Sequence, residues 1–210
     1  MKNTKTTGGF YRDLIRTVFQ AVDEQGKPCN RVVAITSATP GEGVSHVVDL
    51  LAEELATQTQ NRVLRLDAAS LANIRMTDPS KIWLHCEETE IENLLTMSPA
   101  VAAANVRHFG LDRMVGEWET NPEFRAECLK ALKWNFDYVL IDGPATSVSS
   151  QAATLAPFVD GVCVVVKAAQ TRRGQIQHCQ QAIENAGGNF LGFILNRRKY
   201  PVPNWLYRRL

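Results

Sequence analysis

Val32-Val33-Ala34-Ile35-Thr36-Ser37-Ala38-Thr39-Pro40-Gly41-Glu42-Gly43-Val44-Ser45-His46 is the stretch on which the fold turns. It opens as a short apolar run, too short for a core helix and bounded by turn residues, which reads as a buried strand. Pro40, Gly41 and Gly43 break that run, and an amphipathic helix is expected from Val44 to Gln58. Strand, glycine loop and helix in that order is the setting a phosphate-binding loop requires. Glycines let backbone N–H groups converge on an anion, and the helix N-terminus adds partial positive charge. Against the pattern G-x-x-x-x-G-K-[ST], Ser45 stands at the Mg²⁺-binding hydroxyl position and Val44 stands where the lysine belongs. His46, two positions beyond Val44, does not replace that lysine. The candidate phosphate contacts are therefore Gly41, Glu42, Gly43, Val44, Ser45 and His46.

A charge-assisted contact of the lysine type is worth about 1.5–3 kcal/mol in binding. Phosphoryl transfer depends on it more heavily, because catalysis there rests on positioning and charge stabilisation. Valine supplies none of this. Two roles stay open for the loop on sequence alone: a tight strand–helix connection, or a site of residual nucleotide binding.

Outward from the loop, apolar runs alternate with helical stretches, as in a parallel sheet covered by helices. Strands are expected at Arg31–Ser37, Arg62–Asp67, Tyr138–Asp142, Gly161–Lys167 and Phe190–Asn196. Further helices are expected near Tyr11–Ala21, at Pro122–Lys133 and at Arg172–Ala186. Asn121-Pro122 supplies a cap and a first-turn proline, and Gly187-Gly188 a C-terminal stop. Periodicity is weak over 68–117, with one helix expected near Glu90–Met97 and an Ala/Val-rich stretch at Pro99–Val106. The organisation expected is an N-terminal arm and helix (1–30), one α/β domain (31–197) and a basic, aromatic tail (198–210).

With 210 residues, 45% hydrophobic and 21% charged, the chain can build one sizeable core. A net charge of +1 gives no electrostatic reason to expect nucleic acid as a partner. No apolar run nears the ~20 residues of a membrane span, and Met1–Gly9 is polar, without a secretory h-region. A cytoplasmic location is the expectation. Cys29, Cys86, Cys128, Cys163 and Cys179 are unclustered and read as reduced thiols. His85-Cys86 lacks a second pair at ligand spacing.

Five segments in order resemble the bacterial tyrosine kinases of the exopolysaccharide and capsule type, within the P-loop group that includes MinD and ParA. Tyr11-Arg12-Asp13-Leu14-Ile15-Arg16-Thr17 is similar to that family's Y-R-x-L-R-T helix, with one residue inserted. Ile35–Gly43 resembles its I-T-S-x-x-P-G-E-G loop. Phe136-Asp137-Tyr138-Val139-Leu140-Ile141-Asp142-Gly143-Pro144 resembles its Walker B segment. Asp160–Val166 with Thr171-Arg172-Arg173 resembles its D-G-V-x-x-V-V…T-R-R stretch, and Leu191–Arg197 its L-G-x-x-L-N-R strand. The resemblance implies a single-domain P-loop NTPase-like α/β fold of the MinD/ParA type. It further implies ATP or ADP with Mg²⁺, the metal near Ser45, Asp67 and Asp142, and Asn196 near the adenine. The reading from the residues alone makes Asp142 a structural carboxylate and Asn196 a turn-starting strand end.

Departures gather where the family's chemistry lies. Its D-x-D-x-R reads Asp67-Ala68-Ala69-Ser70-Leu71 here, and Gln151 stands where the family often has aspartate. The acceptor tyrosine cluster is reduced to Tyr200 and Tyr207. Gly9, Arg12 and Ile15 occupy the places of the E-x-x-R-x-x-R pattern used for ring assembly, with Arg16 nearby. Asp67 and Asp142 are thus remnants of a catalytic set. The reading is a catalytically impaired, kinase-like protein that regulates exopolysaccharide synthesis and export. Its implied partners are a membrane co-polymerase or chain-length protein, which would recruit it to the inner membrane face, and kinase-like subunits in homo- or hetero-oligomers. The alternatives are a weak ATPase or tyrosine autokinase that borrows a cation such as Arg172, and a MinD/ParA-like positioning ATPase.

Overall fold

The computed structural model describes residues 7–19, 30–59, 62–68, 106–109 and 122–197. In chain order these form α1 (Thr7–Val18), β1 (Arg31–Ser37), α2 (Val44–Thr59), β2 (Val63–Asp67), β3 (Val106–Phe109) and α3 (Pro122–Asn135). They continue with β4 (Tyr138–Asp142), α4 (Gln151–Leu155), a 3₁₀ turn (Ala156–Phe158), β5 (Gly161–Lys167), α5 (Arg173–Asn185) and β6 (Phe190–Asn196). The strands make one six-stranded sheet in the order β3-β2-β4-β1-β5-β6, and every pairing is parallel.

Strand alternation sorts the sheet's side chains onto two faces. Val32, Ala34, Leu64, Leu66, Val139, Ile141, Val162 and Val164 pack with Leu129 and Leu132 of α3, Leu155 of α4 and Ile183 of α5. Val33, Ile35, Val63, Leu140, Cys163 and Val165 pack on the opposite face with Val47, Val48, Leu51 and Leu55 of α2. Both faces are covered, which is why the central strands read as continuous apolar runs. The helix α1 joins the second layer through Tyr11, Ile15 and Val18, followed by Phe19, whose ring meets Tyr138 edge-on at 5.9 Å.

Four of the five expected strands keep their expected bounds, and the fifth begins one residue later, at Val63. The strand β3 went unrecognised because only four residues, Val106-Arg107-His108-Phe109, pair with β2, and two of them are polar. The short helix α4 was likewise unexpected. The expected helix near Glu90–Met97 and the tail from 198 lie outside the described residues.

Candidate functional site

Parallel strands end together, so β1, β2 and β4 deliver their last residues to one edge of the sheet. Register aligns Ile35 with Asp142, and Asp67 with Asp142. The loop after β1 then wraps over this edge before α2 begins. Gly41 and Gly43 carry φ of +79° and +93°, left-handed values that only glycine adopts without strain. The first turn of α2 closes by Val47 N–H donating to Gly43 O at 3.1 Å. An open cavity of about 440 Å³ lies above, and its lining includes Gly41, Gly43, Val44, Ser45, His46, Asp67, Asp142 and Gln151. Ser45 and His46 are exposed at its rim.

Glu42 holds the loop from beneath. It is 2% exposed, yet its carboxylate is well supplied with donors. Ala38 N–H donates to Oε2 at 3.1 Å, Thr39 Oγ1 donates to Oε1 at 2.9 Å, and the Thr171 hydroxyl also donates to Oε1. A buried charge met by several donors is the arrangement that makes its burial tolerable. The Glu42 side chain is thus a structural tie from the loop to the turn after β5. Asn196, at the end of β6, donates from Nδ2 to Glu42 O at 2.8 Å, and its Oδ1 accepts the Arg197 N–H at 2.8 Å. Nδ2 thus braces the loop, while Oδ1 caps the chain's exit from β6.

Asp142 is buried beside one cation, Arg65, and near two further carboxylates, Asp67 and Asp49. Arg65 Nη2 donates to Asp142 Oδ2 at 2.8 Å, while Arg65 Nε donates to Asp49 Oδ1 of α2 at 3.0 Å. Burial pushes the Asp142 carboxyl up from its ordinary value; the Ser45 hydroxyl and Arg65 pull it down, and Asp67 and Asp49 add to the rise. Sequence reasoning missed Arg65. The signal was there: a strand buried on both faces in a parallel sheet is near-continuously apolar, so a mid-strand arginine demands a buried partner. Thr171 was missed for the opposite reason, since a turn threonine is unremarkable until Glu42 is seen beneath it.

The remaining expected site residues divide simply. Arg172 is exposed at the N-cap of α5, where its backbone N–H donates to Gln175 Oε1 at 3.1 Å. Ala69, Leu71, Tyr200 and Tyr207 lie outside the described residues. Gln151 begins α4 and reaches the cavity.

The donor set fits a divalent cation poorly. Oδ2 of Asp142 is occupied by a guanidinium, and Val44 brings no charge to the loop. Among the described residues no three His, Cys, Asp or Glu side chains are grouped to hold a metal ion. No helix among them is long and apolar enough to cross a membrane.

The parallel sheet, its strand order and the glycine loop at the end of β1 give the chain the α/β fold seen in the P-loop proteins MinD and ParA. MinD from Pyrococcus horikoshii OT3, solved as a complex with Mg-ADP, superposes with a TM-score of 0.53 at 22% identity, covering 85% of this chain and 76% of that one. The homologues of the chain are bacterial tyrosine-protein kinases. It is 27% identical over 194 residues to CpsD of Streptococcus agalactiae, covering 89% of this chain and 82% of the relative. It is 29% identical over 192 residues to YwqD of Bacillus subtilis (strain 168), covering 86% and 76%. The kinase domain of VpsO has the same fold, with a TM-score of 0.64 at 22% identity over 92% of this chain and 95% of that one. No protein-family model matches the chain.

Proposed function

We propose that this chain is a kinase-like protein of impaired catalysis that works by binding, as a regulator of exopolysaccharide synthesis and export. One observation carries the reading. The cation that the loop lacks at Val44 is found instead at Arg65, fixed on Asp142 and Asp49 where it neutralises carboxylates. Charge that should serve a transferring phosphoryl group is spent inside the fold, while the loop, its Glu42 brace and the sheet remain intact. Selection that keeps a scaffold and drops its chemistry is the expectation for a binding role. The kinases it is similar to suggest the partner: a membrane co-polymerase or chain-length protein that would hold it at the inner face of the membrane, with kinase-like subunits alongside.

The test is autophosphorylation of the purified protein with ATP and Mg²⁺, followed by mapping of Tyr200 and Tyr207. No phosphotyrosine is expected from this chain alone. Phosphate on either tyrosine, abolished by Ser45→Ala, would replace the reading with that of a weak autokinase. Co-purification with a membrane co-polymerase from the same polysaccharide cluster is the positive arm.

A further inference from the structure

We infer that Arg65 takes the place of the divalent cation in this pocket, so that the site excludes Mg²⁺ and Mn²⁺. This deepens the impaired-catalysis reading and rests on it, but its readout is metal binding and not phosphorylation.

Arg65 leaves β2 two residues before Asp67, in register with Leu140 of β4. Its side chain is 18% exposed and that of Asp142 7%. A guanidinium stays protonated at any workable pH and presents its donors in a rigid plane. Here that plane is held at two points, by Asp142 through Nη2 and by Asp49 through Nε. One anchor lies on β4 and the other on α2, so the sheet and the loop's own helix both fix the cation. The half-exposed Asp49 keeps Arg65 in place even when Asp142 is challenged.

A metal ion entering beside Ser45 would need Asp142 as its oxygen ligand. It would have to displace Arg65 from Oδ2, or bind with a fixed positive charge at first-neighbour distance in a partly buried setting where such repulsion is weakly screened. Hard cations take oxygen ligands, and hydrated Mg²⁺ gives up water reluctantly. The Ser45 hydroxyl offers only a neutral ligand, and Asp67 is the other carboxylate lining the cavity. Removing the arginine would free Oδ2 of Asp142 in a cavity that Asp67, its register partner, also lines.

The experiment is a Mn²⁺ titration followed by electron paramagnetic resonance of the free ion, on wild type, Arg65→Gln and Arg65→Gln/Asp142→Asn. Arg65→Gln is expected to bind Mn²⁺ about 10-fold or more tighter than wild type, as removal of an adjacent charge predicts. The double variant is expected to lose that gain. Equal Mn²⁺ affinity in wild type and Arg65→Gln overturns the inference. Where Arg65→Gln does not fold, wild type alone decides through thermal unfolding with ADP, in Mg²⁺ against EDTA. Equal shifts, whatever their size, are expected; a larger shift with Mg²⁺ than with EDTA overturns the inference. Phosphotyrosine formation is scored separately, so failure of the impaired-catalysis reading is distinguishable from failure of this one.

Discussion

Replacing Gly43 with alanine places a methyl group 2.5 Å from Asn196 Nδ2, on a residue whose φ is +93°. Two costs follow. A left-handed backbone costs an L-residue about 1–2 kcal/mol. The Asn196 amide must also swing away, surrendering its bond to Glu42 O, worth about 0.5–1.5 kcal/mol. The sum is about 1.5–3.5 kcal/mol, a sizeable part of the ~5–15 kcal/mol that holds a domain folded. Gly41→Ala is the control, because Gly41 has φ +79° but nothing within 4 Å of an added Cβ. It should cost the backbone share alone, about 1–2 kcal/mol. Urea unfolding followed by circular dichroism measures both. A gap of about 1 kcal/mol between the two variants is expected, closing in an Asn196→Ala background where the clashing atom is gone. If Gly43→Ala proves no worse than Gly41→Ala, the brace between loop and β6 contributes nothing and the assignment of Asn196 is wrong.

Glu42→Ala strands the donors at Ala38, Thr39 and Thr171 and should destabilise by about 2–4 kcal/mol, whereas Glu42→Gln keeps an acceptor oxygen and should cost less; denaturant midpoints compare them. Burial pushes the Cys163 thiol up to about 12. Its neutral form is favoured in the fold, so this contribution is full below pH 9 and is lost as pH rises from 9 towards 12, at up to about 1.4 kcal/mol per unit. Cys163→Ala should flatten that alkaline slope, and an unchanged slope would assign it to other groups. Asp142 is also raised, so its contribution is present below its ordinary value of 3.8 and lost as pH climbs through the folded value. Unfolding free energies from pH 4 to 7 should therefore show wild type losing ground to Asp142→Asn. Wild type gaining ground instead would mean that Arg65 outweighs burial.

Much of the fold was legible because its rules are local and one-dimensional. Val32–Ile35, Tyr138–Ile141 and Gly161–Val166 are apolar on every residue, a pattern that only strands covered on both faces need. Gly41 and Gly43 announce left-handed turns wherever they occur before a helix. The strand β3 escaped because four residues with two polar side chains carry too little periodic signal, and its pairing with β2 crosses a long sequence gap. The side-chain role of Glu42 escaped for a related reason. What the Glu42 side chain does becomes visible only when its three donors are found, two in its own loop and one, Thr171, 129 residues away.

The sequence by itself determined the layered α/β plan, the phosphate-type loop after β1 and the absence of lysine at Val44, because each is written in neighbouring residues. Tertiary structure alone decided where the site's positive charge went. Arg65 lies 16 residues from Asp49 and 77 from Asp142, and no local pattern joins them. They meet because a parallel sheet brings strand ends from distant segments to one edge, where a buried carboxylate must find a cation.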